Sequence, residues 1–268
     1  MPACYPERIV CLTEETTETL YLLGEERRIV GISGYTVRPP QARREKPKVS
    51  AFLSAKNDKI LELKPDLVIG FSDLQADIAR ELAKAGLNVV LFNQRSVAEI
   101  LNMILVLSSV VGASEKGLQL VKNLEAGLGE IQKTARTFYR KPKVYFEEWD
   151  EPMISGIRWV SELVEIAGGE DVFSDQSHSQ AASGRTIGNG NEVIRRAPEI
   201  ILGSWCGKKF RPERVAARPG WDAVPAVRDG ELHEIKSSEI LQPGPAALTD
   251  GVRRIHAILA GWAKRRAA

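Results

Sequence analysis

One unit occurs twice in the chain and constrains the fold more than any other feature of the sequence. Residues 59–71 read KILELKPDLVIGF, and residues 192–204 read EVIRRAPEIILGS. In each copy, apolar residues at helical spacing precede a proline that cannot continue a helix, and a short aliphatic run follows. Aligning Pro65 with Pro198 also aligns Gly70 with Gly203. Because the runs 67–69 and 200–202 are continuously apolar, they indicate strands buried on both faces, as in parallel sheets.

The surrounding segments give each half of the chain the same order of strand and helix. RIVCL is followed by TETLYLLG, whose helix should end at Gly24, and KVYFE is followed by SELVEIAGG, ending at Gly168. LNVVLF at 87–92 and GELHEI at 230–235 predict a further strand in each half. Alternating strands and helices favour open parallel sheets, so the chain is predicted to form two Rossmann-like α/β lobes.

A long helical segment separates the two halves. Ser96 with Glu99 resembles a capping box, Gly112 predicts a break, and Ser114 can cap a second stretch. About 40 helical residues would span roughly 60 Å if continuous, so we expect a stiff connector. The predicted domains are an N-terminal α/β lobe at 1–95, a connecting helical spine at 96–138 and a C-terminal α/β lobe at 139–268. A ligand cleft is expected between the lobes, since open α/β sheets bind ligands beyond the carboxyl ends of their strands.

Composition excludes several classes of protein. The formal net charge of +2 is too small to indicate nucleic-acid binding. No apolar run reaches the ~20 residues that span a bilayer. Three cysteines that are far apart suit free thiols in a reducing compartment. As written, the N-terminus predicts a cytoplasmic protein; if it has been trimmed, Ala3–Cys4 fits a lipoprotein cleavage site and a periplasmic or lipid-anchored protein. We expect a monomer.

Three segments carry a family resemblance. ERIVCLTEETTETLYLLGEERRIVGISGYT with the following PPQA, then KILELKPDLVIGFSDLQADIARELAKAGLNVVLFN, and the linking helix resemble helical-backbone (class III) ABC-transporter substrate-binding proteins. The chain is most similar to the cobalamin-binding (vitamin B12) branch, with siderophore and haem binders as cousins. The resemblance covers nearly the whole chain and is strongest over residues 8–100. It implies non-catalytic capture of a corrinoid in the inter-lobe cleft for ABC-type uptake, with no intrinsic cofactor. From the residues alone no metal site is expected, since Asp175 and His178 have no third ligand near them in the sequence.

The resemblance also implies positions for the ligand site. Cobalamin binders grip the corrin between aromatic side chains, which bury a large apolar area while their edges stay available to polar groups. The matching positions are Tyr35, Phe52, Phe71, Trp149 and Trp205, with Gln242 in the loop LQPGPA as a polar contact. Trp159 and Phe173 are instead predicted to be packing residues.

A permease-docking surface is implied in the same way. Transport-linked members place one carboxylate on each lobe to meet arginines of the permease, and Asp77 and Glu192 match these positions. Asp77 is shorter than the expected glutamate, and Glu81 lies one helical turn further on. Solvated acids at helix starts are also common because they offset the helix dipole.

The residues leave alternatives open. Four carboxylates surround Trp149 in FEEWDEP and would suit a cationic organic ligand, whereas the basic run 208–218 would suit an anionic one such as haem or a ferric siderophore. A cytosolic carrier or sensor on the same fold, binding haem, a siderophore or a small cationic metabolite, is the alternative function. A minor alternative is an enzyme using Cys206 as nucleophile, with a histidine brought to it by folding.

Overall fold

The computed structural model of the protein describes residues 5–267. Ala3 and Cys4, on which the lipoprotein alternative depends, lie outside the described residues. The strands are Ile9–Cys11 (β1), Ile29–Ser33 (β2), Lys48–Ala51 (β3), Ser54–Ala55 (β4), Leu67–Phe71 (β5), Val89–Phe92 (β6), Lys143–Asp150 (β7), Met153–Ser155 (β8), Glu170–Asp171 (β9), Thr186–Ile187 (β10), Ile200–Gly203 (β11) and Leu232–Glu234 (β12). The α-helices are Glu14–Leu22 (α1), Pro40–Glu45 (α2), Asn57–Glu62 (α3), Ala76–Lys84 (α4), Val97–Val110 (α5), Ser114–Ala135 (α6), Arg158–Ile166 (α7), Asn191–Arg196 (α8), Pro212–Ala216 (α9), Pro225–Arg228 (α10), Ser237–Ile240 (α11) and Val252–Ala267 (α12).

The first sheet has the strand order β4-β3-β2-β1-β5-β6. Neighbouring strands are parallel from β3 to β6, and only the short edge strand β4 among them runs antiparallel, against β3. The central strands β1 and β5 are buried along their whole length. This is the parallel sheet predicted for the first half, and β1 lies at its centre with β2 on one side and β5 on the other.

The second sheet has the order β10-β8-β7-β11-β12, with β9 added in parallel to β7. Strands β7, β11 and β12 form the predicted parallel part. Strands β8 and β10 are antiparallel and make the sheet mixed, which the sequence did not predict. Since both halves combine such a sheet with helices, the predicted α/β fold class is confirmed.

The repeated unit folds as predicted in both halves. A short helix, α3 or α8, precedes each proline, and the aliphatic run forms β5 or β11. The aligned glycines have matching roles. A Cβ on Gly70 would lie 2.6 Å from Gln75 Oε1, and a Cβ on Gly203 would lie 1.9 Å from the Phe210 ring. In both copies the glycine allows a side chain from the following loop to lie against the strand.

The described chain forms two compact units, one of residues up to 94 with 98–124 and one of residues 95–97 with 125 onward. Each has its own core cluster, around Val10, Ile60 and Val68 in the first unit and around Tyr145, Phe173 and Trp221 in the second. The segment predicted as a spine consists of α5 and α6, which are separated at Gly112 with φ of 74°. Within residues 5–267, every helix falls short of the length or apolar character that a bilayer span requires.

Candidate functional site

Three of the predicted aromatic residues lie at one edge of the first sheet. Tyr35 follows β2, Phe52 follows β3, and Phe71 ends β5. Because these strands are parallel, their carboxyl ends share one edge. Tyr35 is 62% exposed and Phe52 is half-buried, whereas Phe71 is buried. At this edge, therefore, Tyr35 and Phe52 are accessible to solvent, whereas Phe71 belongs to the core.

A buried glutamine fixes the loops that carry two of these aromatics. Gln75 is inaccessible to solvent; its Nε2 donates to the Phe52 carbonyl at 2.9 Å, and its Oε1 accepts from the Phe71 backbone N–H at 2.9 Å. Ser72, between strand and loop, has a φ of 64°, a conformation that costs energy for a residue with a side chain. Such strain is tolerated where surrounding contacts define the backbone, as Gln75 does here.

An acidic pair that the sequence analysis missed occupies the same edge. Glu14 and Glu15 begin α1, immediately after β1, and are only 4% and 1% exposed. Burial raises the pKa of Glu14 to about 8 and that of Glu15 to about 7, although hydrogen bonds to each carboxylate act in the opposite direction. The available signal was the polar run TEETTET directly after a buried strand, where an ordinary helix would present apolar residues to the core.

The remaining predicted ligand residues lie at the carboxyl edge of the second sheet. Trp149 is near the end of β7, Trp205 follows β11, and Gln242 comes after β12 and α11. Trp149 and Gln242 are half-buried, whereas Trp205 is 3% exposed and packs edge-on against Phe210, with 5.0 Å between ring centroids. In this structure Trp205 has the surroundings of a core residue, as do the predicted packing residues Trp159 and Phe173.

Trp205 is also part of a buried polar network around Glu147. The carboxylate of Glu147 accepts from Trp205 Nε1 at 3.0 Å, from the Tyr145 hydroxyl at 3.0 Å and from both Arg218 amino groups at 2.5 and 2.9 Å. Glu147 is fully buried, so these four donors compensate for its lost hydration. The ion pair and the neighbouring Tyr145 raise the pKa of Arg218 despite burial. The network connects the ends of β7 and β11 to Arg218 in the basic run 208–218.

The acidic and basic clusters found in the sequence neutralise one another. Besides the Glu147–Arg218 pair, Asp150 forms ion pairs with Lys208 and with Arg214, and Arg214 also pairs with Glu151 at 2.8 Å. Glu148 pairs with the buried Arg185 at 2.5 Å. The carboxylates of FEEWDEP are thus already matched by cations of this chain, so the cluster gives no support to a cationic ligand, and the paired basic residues give none to an anionic ligand.

The two predicted docking carboxylates are placed differently. Asp77 lies in the first turn of α4, with its side chain 86% exposed and paired with Arg80 at 3.0 Å. Glu192, in the first turn of α8, is held by both Arg195 and Arg196, which lower its pKa. Glu81 pairs with Arg80 and Lys84. Asp77 is accordingly the more accessible of the two.

Cys206 lacks the surroundings of a catalytic nucleophile. Cys206 is an exposed residue, but partial desolvation and the Glu148 carboxylate raise the pKa of its thiol, which favours the protonated form. His233 bonds to Glu231, and His256 bonds to the Ala167 carbonyl. Neither imidazole is engaged with the thiol as a base.

Comparison with known proteins gives consistent findings over the length of the chain. A model of the family described as "Periplasmic binding protein" matches residues 9–239. An uncharacterised ABC transporter substrate-binding lipoprotein, YvrC of Bacillus subtilis, is 25% identical over 259 residues, covering 93% of this chain and 79% of the relative. A vitamin B12-binding protein of Vibrio cholerae is 27% identical over 264 residues, covering 93% of this chain and 87% of the relative.

A solved structure supports the fold independently. The periplasmic heme-binding protein RhuT from Roseiflexus sp. RS-1, in its apo form, superposes with a TM-score of 0.80 at 22% sequence identity. The match covers 94% of this chain and 99% of that protein. At this level of identity the likeness establishes the shared fold.

Proposed function

The chain belongs to the periplasmic binding protein family, and from that premise we propose that it captures a corrinoid, a cobalamin-like ligand, for ABC-type uptake. Its membership makes it a binding protein and not an enzyme, in agreement with the poor surroundings of Cys206. The corrinoid is a ligand and not a resident cofactor.

The observation that carries the proposal is that each sheet, taken by itself, has accessible aromatic side chains at its carboxyl edge. Tyr35 and Phe52 present accessible rings on the first sheet, and Trp149 presents a half-buried indole on the second. Flat aromatic faces suit a macrocycle, since each ring buries a large apolar area against it. Phe71 is linked to Phe52 through Gln75, Trp205 donates to Glu147 in β7, and Gln242 lies in the loop after α11.

The relatives support a corrinoid as the ligand class. The Vibrio cholerae relative is named for vitamin B12 binding, and its similarity extends over almost the whole chain. The haem-binding neighbour shares the fold at lower identity, so haem and ferric siderophores belong in the same binding test as competitors.

We propose an extracytoplasmic protein that delivers its ligand to an ABC permease as a monomer. The cytoplasmic location expected from the N-terminal sequence has no support from the relatives, one of which is a lipoprotein. Asp77 and Glu192 are the proposed docking carboxylates, one on each unit, and the high exposure of Asp77 makes it the stronger candidate.

The test is a titration of the purified protein with cyanocobalamin, haemin and a ferric siderophore, followed by tryptophan fluorescence and calorimetry. Saturable cyanocobalamin binding with a Kd below about 1 μM, equivalent to about −8 kcal/mol, is the expected result. Tyr35→Ala should weaken this binding, whereas Tyr139→Ala, which removes a tyrosine that is 88% exposed on the α6–β7 connection, should leave it unchanged. Tighter binding of haemin or of the siderophore would overturn the corrinoid assignment.

A further inference from the structure

The carboxyl edge of the first sheet contains buried acceptor groups that the protein itself leaves unsatisfied. Glu14 and Glu15 lie at the start of α1, which follows the central strand β1. Both side chains are more than nine-tenths buried. Buried polar atoms in folded proteins are nearly always hydrogen-bonded, so any that are not call for a physical explanation.

Each of the two carboxyl groups has one oxygen bonded and one oxygen without a partner. Glu15 Oε1 accepts from the Thr13 hydroxyl at 2.6 Å, and Glu14 accepts from the Val37 backbone N–H. Glu14 Oε1 and Glu15 Oε2 have no hydrogen-bond partner among the described residues. The bonded oxygens orient the carboxyl groups, and the others remain as acceptors.

Two hydroxyl groups, one after β2 and one in β3, provide an independent observation of the same kind. Thr36 follows β2 and Ser50 is in β3; both side chains are at least nine-tenths buried, and neither hydroxyl has a partner within the described part of the chain. Thr36 directly precedes Val37, whose backbone N–H donates to Glu14, so the Thr36 backbone is close to the acidic pair. Ser50 pairs with Ser33 across β2 and β3, and its carbonyl accepts from the Gly34 N–H at 2.7 Å.

Arg38 supplies positive charge near Glu14. Arg38 forms an ion pair with Glu18 at 2.9 Å, and its field lowers the pKa of Glu14 less than burial raises it. Glu18 in turn raises the pKa of both acids. A hydrogen-bond donor brought by a ligand would satisfy these groups, whereas a ligand carboxylate would bring a negative charge without N–H donors into a buried environment that already disfavours the charged forms of Glu14 and Glu15.

We propose that Glu14 and Glu15, with the hydroxyls of Thr36 and Ser50, form a subsite that accepts N–H donors of the ligand and rejects carboxylates. The chemical class that fits is a primary amide or an ammonium group. This inference rests on the proposed binding function and narrows it, since corrinoids carry primary amides around their rim and haem carries two carboxylates. Tyr35 and Phe52 on the same edge would then contact the apolar face of the ligand.

The inference is tested by changing the ligand and the protein independently. The ligands are cyanocobalamin, its monocarboxylate derivatives in which one peripheral amide is hydrolysed, ferrioxamine B with its free ammonium group, and haemin. The proteins are the wild type, Glu14→Gln, Glu15→Gln and the control Glu115→Gln, which alters an exposed glutamate in the first turn of α6. Thermal denaturation of each variant confirms that it is folded before titration.

The wild type should bind at least one monocarboxylate isomer about tenfold more weakly than cyanocobalamin, because the new carboxylate meets the acidic pair. In Glu14→Gln or Glu15→Gln, the ratio of the Kd for the monocarboxylate to the Kd for cyanocobalamin should fall towards one. In Glu115→Gln this ratio should be the same as in the wild type. Equal binding of all isomers by the wild type, or an unchanged ratio in both glutamine variants, would overturn the inference and leave the corrinoid function intact.

The other ligands separate the inference from the proposed function. Glutamate-dependent binding of ferrioxamine B without cobalamin binding would refute the corrinoid function and support the donor subsite. Preferential haemin binding, or no binding of any of these ligands, would overturn both. Because the monocarboxylate comparison uses the wild-type protein, it stays decisive even where a variant does not fold.

Discussion

Trp149 lies near the end of β7 and Trp205 follows the neighbouring parallel strand β11, yet their indoles are held in different ways. Trp149 is half-buried, with its Nε1 donating to the Glu151 carbonyl and the Lys208 ammonium 4.0 Å from its ring centroid. Trp205 is enclosed by Phe210 and donates to the buried Glu147. A ligand can reach the half-buried Trp149 if the exposed Lys208 shifts from its ring, although Lys208 also pairs with Asp150, whereas the ring of Trp205 is enclosed by packing.

This difference predicts distinct effects of two truncations. Trp149→Ala should weaken cyanocobalamin binding about tenfold or more, with little change in the free energy of unfolding, since the indole is only partly packed. Trp205→Ala should lower the free energy of unfolding by about 3–5 kcal/mol, because it leaves a cavity in the core and removes one of the four hydrogen-bond donors to the buried Glu147. Urea denaturation and calorimetric titration measure the two quantities. A Trp149 variant with unchanged affinity would remove this residue from the site.

At the scale of elements, the repeated helix–proline–strand unit connects the core to the loops. Gly203 in β11 lies against the Phe210 ring, and Phe210 in turn packs on Trp205. The Phe210 backbone N–H also donates to Glu234, which ends β12. Because Gly203 has no side chain, the Phe210 ring can pack against β11 and hold the loop that follows this strand.

Gly203→Ala is expected to lower the free energy of unfolding by about 1–3 kcal/mol, because the added methyl group overlaps the Phe210 ring in a packed core. The matched control is Gly127→Ala in α6, where a Cβ would have no atom within 4 Å. Alanine there should stabilise the protein by about 0.5–1 kcal/mol through its higher helix propensity. Thermal and urea denaturation of the two variants gives the comparison; destabilisation of equal size in both would contradict this account of Gly203.

The elements that sequence predicts well are those determined by local pattern. The runs 67–69 and 200–202 are apolar, bounded by proline, and buried in parallel sheets, and Gly24 and Gly168 end helices with φ of 71° and 102°. Local pattern does not reveal β8 and β10, which are three and two residues long and gain their stability from pairing. Short strands of this kind become visible only in three dimensions.

Long-range pairing likewise accounts for what the sequence could not show about the site. The acids of FEEWDEP and the basic run are 58–71 residues apart, so their mutual neutralisation depends on the fold. The reverse holds for Glu14 and Glu15: their sequence resembles a solvated helix start, and only burial distinguishes them from one. A cluster of charged residues in a sequence is therefore a poor guide to the charge of a ligand until the ion pairs within the chain are known.

For the whole molecule, the acidic pair connects the candidate site to global stability. A carboxyl group whose pKa is higher in the folded than in the unfolded state binds more protons when folded between those two values. Here the values are 4.5 in the unfolded chain and about 7 to 8 in the folded protein. The free energy of unfolding should therefore fall as pH rises through this window. Asp171 contributes with the same sign, because burial raises its pKa too.

Between pH 5 and pH 8, the free energy of unfolding of the wild type should fall by an amount on the order of 3 kcal/mol. This value follows from 1.36 kcal/mol per pKa unit, reduced because the two acids titrate as a coupled pair. A double variant with Glu14→Gln and Glu15→Gln should show a flatter dependence, while Glu115→Gln should follow the wild type. Urea midpoints and m-values at several pH values provide the free energies. Equal slopes in the double variant and the wild type would mean that Glu14 and Glu15 ionise with ordinary pKa values, as solvated acids do. A flatter slope, in contrast, would mean that the fold maintains the pair at a cost to its own stability, as expected of groups whose hydrogen-bond donors come from a ligand.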